Sequence, residues 1–408
     1  MSRVEKLIQE LCPNGVPFRR LGELVSYSKK KVASAALDES NFVGVDNLLP
    51  NLGGREDSKY GPNTKTSTAF KNGDILLGNI RPYLRKIWLS DRSGGASGDV
   101  LVLTLNEEVV ERLEPGFLYW FLTTESFFTY NNRFARGGKM PRGDKAKILE
   151  YLVPVPPIEV QREIVKILDL FTELEAELEA ELEARRKQYE HYRDQLLTFP
   201  EDGGATWVEL GALGEWHGGS TPSKSETKYW NQGTIPWVSP KDMSVSHIGR
   251  TIDFVTMDAV NSARARLIPA GAILVVTRSS ILAKRFPVAT AGNEVTINQD
   301  LKALVVQKDV DARYVFHALN AYGRQILLKV TKHGGSVNSI EWKRFARFKI
   351  PVPSEPEQKR IASQLDRFDA LVNDLSSGLP AEIEARRKQY EYYRDKLLTF
   401  KELQPEAA

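Results

Sequence analysis

Residues 185–199 read RRKQYEHYRDQLLTF, and residues 386–400 read RRKQYEYYRDKLLTF. A chain that repeats one amphipathic stretch so faithfully and so far apart must offer two equivalent places for it, which restricts the architecture more than any other feature. The repeat extends upstream. PVPPIEVQREIVKILDLFTELEAEL at 154–178 aligns without gaps to PVPSEPEQKRIASQLDRFDALVNDL at 351–375, and GGKMPRGDKAKILEYLVPVP from Gly137 follows the pattern of GGSVNSIEWKRFARFKIPVP from Gly334, both at an offset of 197. At Arg185 and Arg386 the offset becomes 201, so the second copy carries four extra residues within SSGLPAEI. A fainter match sets 6–24 beside 195–213, pairing Leu7 with Leu196, Gly15 with Gly204, Leu21 with Leu210, Gly22 with Gly211 and Leu24 with Leu213. The order is thus tail, body, helix, body, helix. It closes on itself if the N-terminal segment lies beside the end of the last helix, giving a pseudo-two-fold, cyclic arrangement.

The repeated segments have helical period. Ile164, Leu168, Phe171, Leu174, Leu178, Leu182, Tyr189, Tyr192 and Leu196 recur at steps of three, four or their sums, which predicts one apolar stripe on a long helix. Its middle is the tetrad run ELEA ELEA ELEA, Glu173 to Ala184. Such a stripe needs a partner, and its own copy is the available one, which points to a coiled coil between the two. The second copy carries Ile361, Leu365, Phe368, Leu371, Leu375, Ile383, Tyr390, Tyr393 and Leu397, but Gly378 and Pro380 interrupt it. Proline is accepted in the first turn of a helix and breaks an interior, so two shorter helices are expected there. The bodies between the repeats differ from them. GDILLGNI at 73–80, DVLVLTL at 99–105, GAILVVTR at 271–278 and LKALVVQ at 301–307 are short, β-rich and bounded by turn formers, hence strands. PGFLYWFLTTESFFTYNN and DARYVFHALNAYGRQILLKV have helical pattern. The fold class is α+β, with bodies at 1–153 and 201–350 and helical segments at 154–200 and 351–408, the latter interrupted near Gly378 and Pro380.

Charge follows the same division. The net charge of +3 conceals bodies of +4 (1–153) and +6 (201–350) against helical segments of −5 (154–200) and −2 (351–408). Basic bodies concentrate polyanions, while acidic helices repel them. One cysteine, Cys12, excludes an intramolecular disulfide, and no window of eighteen apolar residues occurs, so the expectation is a cytoplasmic protein without a membrane anchor. Catalytic motifs are missing: there is no P-loop, no G-x-G-x-x-G, no C-x-x-C, no H-E-x-x-H, and no Asn- or Asp-Pro-Pro-aromatic loop of an adenine methyltransferase. The five histidines are scattered. No catalytic or metal-ligating residue is assigned, and function is expected to reside in binding.

Paired loops are the binding candidates. After the GDILL strand, GNIRPYLRKIW offers Arg81, Tyr83, Arg85 and Lys86; after its counterpart, TRSSILAKRF offers Thr277, Arg278, Ser279, Lys284 and Arg285. A second pair is RGGKMPRGDK, with Lys139, Met140 and Arg142, against KHGGSVNSIEWK, with Lys332, His333, Ser336 and Asn338. Arginine grips phosphate or a guanine edge bidentately, and hydroxyl and amide side chains read base edges, a mixture suited to duplex DNA. Two glycines ahead of such a loop allow close backbone approach.

These features together resemble the DNA-specificity subunit of a type I restriction-modification system. The likeness is carried by LCPNGVPFRRLGEL, GDILLGNIRPYLRK, the boundary VPVPPIEVQREIVKILD with its counterpart IPVPSEPEQKRIASQLD, and the twin endings, in that order over nearly the whole chain. It implies two target-recognition domains, each reading half of a bipartite, asymmetric double-stranded DNA site, separated by two long conserved helices that form an antiparallel coiled coil. It further implies that the helices dock two modification subunits, with Arg185, Arg186, Tyr189 and Tyr192 matching Arg386, Arg387, Tyr390 and Tyr393 as the repeated docking address. Restriction subunits would complete the complex. No cofactor is then expected on this chain, S-adenosylmethionine and ATP with Mg belonging to the partner subunits. The tetrad run resembles a family ruler that sets the spacer between half-sites. Two other readings make different demands. A coiled-coil scaffold would have no DNA affinity, and a self-contained methylation or restriction enzyme would need the missing motifs.

Overall fold

The computed structural model describes residues 3–200, 203–262, 264–332, 337–373 and 378–403. It divides into two compact units, Met1–Ala176 with Arg386–Ala408, and Glu177–Ala385. The division falls inside the repeated helices, because each part of a helix packs on a different core.

The first long helix is continuous from Ile158 to Leu196, 39 residues. It contains no glycine or proline, is rich in Glu, Leu and Ala, and carries the i,i+4 pairs Glu181–Arg185 and Glu183–Lys187, each at 3.4 Å. The second copy forms two 19-residue helices, Glu355–Asn373 and Leu379–Leu397. Pro380 stands second in the latter, where its missing N–H costs nothing, and Gly378 supplies the carbonyl that accepts from Ala381 N and Glu382 N. Residues 374–377, which include the two serines of SSGLP and Leu375 of the apolar stripe, lie outside the described residues. The stripe is buried at its ends and not in its middle. Ile164 and Leu168 are fully buried, whereas Leu174 is 45% exposed. A strict step of four advances the side chain by about 40° around the axis each time, so the tetrad leucines rotate off the seam.

Unit 1 is built around an antiparallel four-stranded sheet in which Val100–Leu105 lies between Val25–Tyr27 and Ile75–Gly78, with Ile87–Leu89 at the far edge. Ile75 to Gly78 are all buried, as the unbroken apolar run of GDILL requires. A second four-stranded sheet, a two-stranded ribbon of Phe18–Arg20 with Leu152–Pro154, and helices Pro115–Leu122, Glu125–Phe134 and Lys145–Glu150 complete the body. The helical stretch predicted from PGFLYWFLTTESFF breaks at Thr123 and Thr124, whose hydroxyls donate to the carbonyls of Trp120 (2.6 Å) and Phe121 (2.7 Å). Unit 2 repeats the plan. Leu301–Val306 lies between Gly214–Gly218 and Ile273–Val276, followed by Val288–Ala291 and His247–Ile248. Thr206–Glu209 pairs with Lys349–Val352, and helices Ala312–Ala321, Gly323–Val330 and Trp342–Ala346 follow the order of unit 1.

The helical repeat is clamped to each body in the same way. In unit 1 the buried Gln161 accepts from Glu114 N (2.8 Å) and donates to the carbonyls of Arg112 (2.8 Å) and Pro156 (2.7 Å). In unit 2 Gln358 accepts from Asp311 N and donates to Pro353 O, both at 2.9 Å. The cyclic expectation is met within unit 1. Val16 N donates to Lys401 O (2.9 Å) and Leu403 N donates to Val16 O (2.8 Å), so the N-terminal segment pairs with the segment that follows the last helix. Gly15, at φ +109, makes this possible, since a Cβ there would stand 2.6 Å from Lys401 O.

Candidate nucleic-acid interface

In unit 1 the strand Ile75–Gly78 delivers a tight loop. Arg81 and Arg85 both adopt left-handed backbone, φ 50 and 53, on either side of the short turn Pro82–Leu84. This geometry turns the loop back on itself, and it is held against the glycine loop that precedes Asp144. Arg81 N donates to Pro141 O (2.7 Å) and Gly143 N to Asn79 O (3.1 Å). In unit 2 the same contacts recur with other residues. Ser279 N donates to Asn338 O (3.1 Å) and Ile340 N to Thr277 O (2.7 Å). Asn79 therefore corresponds to Thr277, Arg81 to Ser279, Pro141 to Asn338 and Gly143 to Ile340. Each body brings together the two loops singled out in the sequence.

The side chains divide into those that build the loops and those that face outward. Arg85 donates to Glu125 Oε2 (3.0 Å) and Thr123 O (3.1 Å), with its guanidinium 5.4 Å from the Phe128 ring centre. Lys86 Nζ donates to Val45 O at 2.7 Å. The cationic ends of both are thus engaged by the body, and they shape the loop. Tyr83 is half exposed, Lys139 and Met140 are exposed, and Arg142 is half exposed while paired with Asp99 at 3.1 Å. In unit 2 Thr277 Oγ1 donates to Asp300 O (3.0 Å), and Arg278 is largely exposed with its Nε 3.8 Å from Asp300 Oδ1. Lys284 and Lys332 are exposed, and Arg285 donates to Met243 O at 2.9 Å. Asn338 is half-buried, while His333 and Ser336 lie outside the described residues. One residue was passed over in the sequence. Arg136 exchanges two 2.8 Å backbone bonds with Arg142 and has a side chain 84% exposed beside Asp144. It stands at the head of RGGKMPRGDK, so its signal was the basic run itself.

The repeated docking address also separates into inward and outward parts. Tyr192 stacks on Phe368 in unit 2, with ring centres 5.9 Å apart, and Tyr393 stacks on Phe171 in unit 1 at 6.3 Å. These are matching pairs under the offsets of the repeat. In unit 1 the order is antiparallel, Phe171 meeting Tyr390 and Tyr393 while Glu175 pairs with Arg387. Tyr189 and Tyr390 turn inward. Tyr189 is buried, its hydroxyl 3.3 Å from Nδ1 of His317, and burial pushes that hydroxyl well above the usual tyrosine range. Tyr390 packs edge-on to Trp120, ring centres 6.3 Å apart. His317 and Trp120 themselves correspond, each bonded to a matching carboxylate: His317 Nε2 to Asp366 (2.8 Å) and Trp120 Nε1 to Asp169 (2.9 Å). These two tyrosines belong to the cores, which leaves Tyr192 and Tyr393 on the surface at 40% and 39% exposure. Arg185 bonds Gln188 and Glu181, and Arg186 and Arg386 are exposed. Among the described residues no group of His, Cys, Asp and Glu is arranged to hold a metal ion, and no helix is long and apolar enough to cross a membrane.

Comparison with known proteins agrees with the duplicated plan. The family model described as the type I restriction modification DNA specificity domain matches twice, over residues 13–184 and 204–385. The EcoR124I/EcoR124II specificity subunit of Escherichia coli is 49% identical over 247 residues, 60% of this chain and 61% of that protein, so this match spans about three fifths of the relative's length. A putative type I restriction enzyme specificity subunit of Haemophilus influenzae is 28% identical over 418 residues, 97% of this chain and 98% of that one. A solved chain, described under the structural basis of complex assembly and conformational transition of the type I R-M system, has the same fold. It superposes with a TM-score of 0.64 at 20% identity, covering 95% of this chain and 98% of that one.

Proposed function

The chain belongs to the family of type I restriction-modification DNA specificity subunits, and from that premise we propose that its two bodies are target-recognition domains, each reading one half of a bipartite, asymmetric DNA site. The observation that carries this reading is the loop pair. The same backbone bonds set the same two loops together in both units, while the side chains they present differ, as two readers of different half-sites require. Tyr83, Arg136, Lys139 and Arg142 are the outward-facing candidates of unit 1, and Arg278, Lys284, Lys332 and Asn338 those of unit 2. Arg85, Lys86 and Thr277 hold loop shape, and Arg81 contributes its backbone. Direct contact with base edges falls to the exposed polar tips, and the exposed lysines supply phosphate contacts.

The chain itself carries no catalytic step in this reading. Adenine methylation with S-adenosylmethionine, and cleavage with ATP and Mg, belong to two modification subunits and to restriction subunits that assemble on it in the cytoplasm. The repeated helices explain how one asymmetric reader serves two identical enzymes, since they present one docking face twice. The test is to co-express the chain with the modification subunit of its system and map methylated adenines across a genome. A split motif with unrelated halves is expected. Absence of any new methylation, or a continuous palindrome, would overturn the reading.

A further inference from the structure

The two outward stacks are alike at their centres and unlike at their rims. In unit 1, Tyr393 stacks on Phe171, and the same helix carries Ile167, Leu170 and Leu174 within one turn of Phe171, Leu170 being 52% and Leu174 45% exposed, while Tyr392 meets Tyr393 edge-on at 63% exposure. The matching positions in unit 2 are Gln364, Arg367, Leu371 and His191 around Tyr192 and Phe368. There the side chains of Tyr192, Leu196, Gln364, Arg367, Phe368 and Leu371 line an open groove of about 620 Å³. An exposed aromatic stack displayed twice at matched positions, each within its own unit, suits a partner that is present in two copies. The rims are then what distinguishes the two seats: Leu170 offers exposed apolar area, with Ile167 partly buried against the core behind it, where Gln364 and Arg367 offer polar tips that must be desolvated, while the groove-lining Gln195 is matched in unit 1 by Lys396, already paired with Glu5.

We propose that the two modification subunits bind this chain with unequal strength, the tight seat being the apolar face of unit 1 around Leu170 and the weak seat the groove of unit 2 around Arg367. This rests on the reading that modification subunits are the partners of the repeated helices. One apolar side chain removed from water is worth about tenfold in affinity, so Leu170 against Arg367 separates the seats by about tenfold. Assembly is therefore stepwise, and a one-to-one complex accumulates when the modification subunit is scarce.

The full chain, titrated with the modification subunit that supports methylation in co-expression, reads this directly by native mass spectrometry and calorimetry. Two classes of site are expected, about tenfold apart. Leu170→Arg should bring the tight class down to the weak one, and Arg367→Leu should tighten the weak class; both side chains are exposed, so neither change disturbs a core. A single class of site in the unaltered chain overturns the inference while leaving the assignment of the partner intact. The same holds if Leu170→Arg weakens the weak class or neither. Failure of the modification subunit to bind at all overturns both.

Discussion

Gln161 and Gln358 show how much a single buried side chain contributes to joining helix and body. Each satisfies a backbone N–H at the start of the preceding helix and one carbonyl of the loop that leads into its own, and Gln161 adds the carbonyl of Arg112. Replacing Gln161 by Leu keeps the volume roughly constant but leaves Glu114 N and two carbonyls without partners in a dry site. The expected loss is roughly 2–4 kcal/mol, read as a lower urea midpoint in unfolding followed by tryptophan fluorescence. An unchanged midpoint would show that water replaces the amide at no cost. Asp311 gives a prediction tied to pH. Burial alone would raise its carboxyl, but the Arg313 guanidinium and the amides of Tyr314 and Arg313 outweigh it and hold the group below its ordinary 3.8. A depressed carboxylate stabilises the fold above its unfolded value, and that contribution is lost as pH falls through the folded one. Asparagine caps a helix as well as aspartate, so Asp311→Asn isolates the charge. The variant should be less stable at pH 7 by under about 1 kcal/mol, with the difference closing below about pH 4. A gap that persists in acid would assign the effect to packing. The glutamines were legible in the repeat, since both stand in the aligned QRE and QKR. The pairing of Trp120 with His317 was not, because an indole and an imidazole have nothing in common as letters and become equivalent only through the carboxylates they meet.

The long helices illustrate why period was a good guide to element and a poor one to burial. Their existence, the break near Gly378 and the position of Pro380 follow from propensity and from the rigid φ of proline, which act locally. The loss of burial through the tetrad run follows from the angle that a four-residue step accumulates, and periodicity searches that accept steps of three or four conceal it. The loops divide likewise. Their location after the GDILL strand and after the double glycine was legible, yet which cation faces outward was not, since Arg85 and Lys86 are claimed by Glu125, Thr123 and Val45, residues distant in sequence. The tetrads themselves carry a prediction. Removing one ELEA unit shortens the helix by about 6 Å, against about 3.4 Å per base pair. The spacer between half-sites in the methylation map should shorten by one or two base pairs with the half-sites unchanged. An unaltered spacer would exclude the tetrads as a ruler.

At the scale of the whole molecule, the pairing of Gly15 and Val16 with Lys401–Leu403 and the interior junction are two versions of one joint. Residues 13–184 and 204–385 match the same family model, and between them the chain passes from helix to body through 197–204. In unit 1 the corresponding passage is made without a covalent link, by Val16 pairing with Lys401 to Leu403 across Gly15. Gly204, matched to Gly15 in sequence, likewise has positive φ, +85. If the noncovalent joint suffices in unit 1, it should suffice in unit 2. A circular permutant that joins the segment following Leu403 to the segment preceding Gly15 through a short Gly-Ser linker and opens the chain between Phe199 and Gly203 is therefore expected to fold. It should keep the unfolding midpoint of the parent within the effect of loop closure, about 1 kcal/mol, and yield the same bipartite motif in the methylation map. The order of the two half-sites on the DNA should not change, because each body keeps its own long-helix partner. A permutant that folds but methylates a different spacer would mean that the covalent junction at 197–204 carries geometry that hydrogen bonds alone do not. One that fails to fold while the linked but unopened chain folds would show the two joints to be unequal.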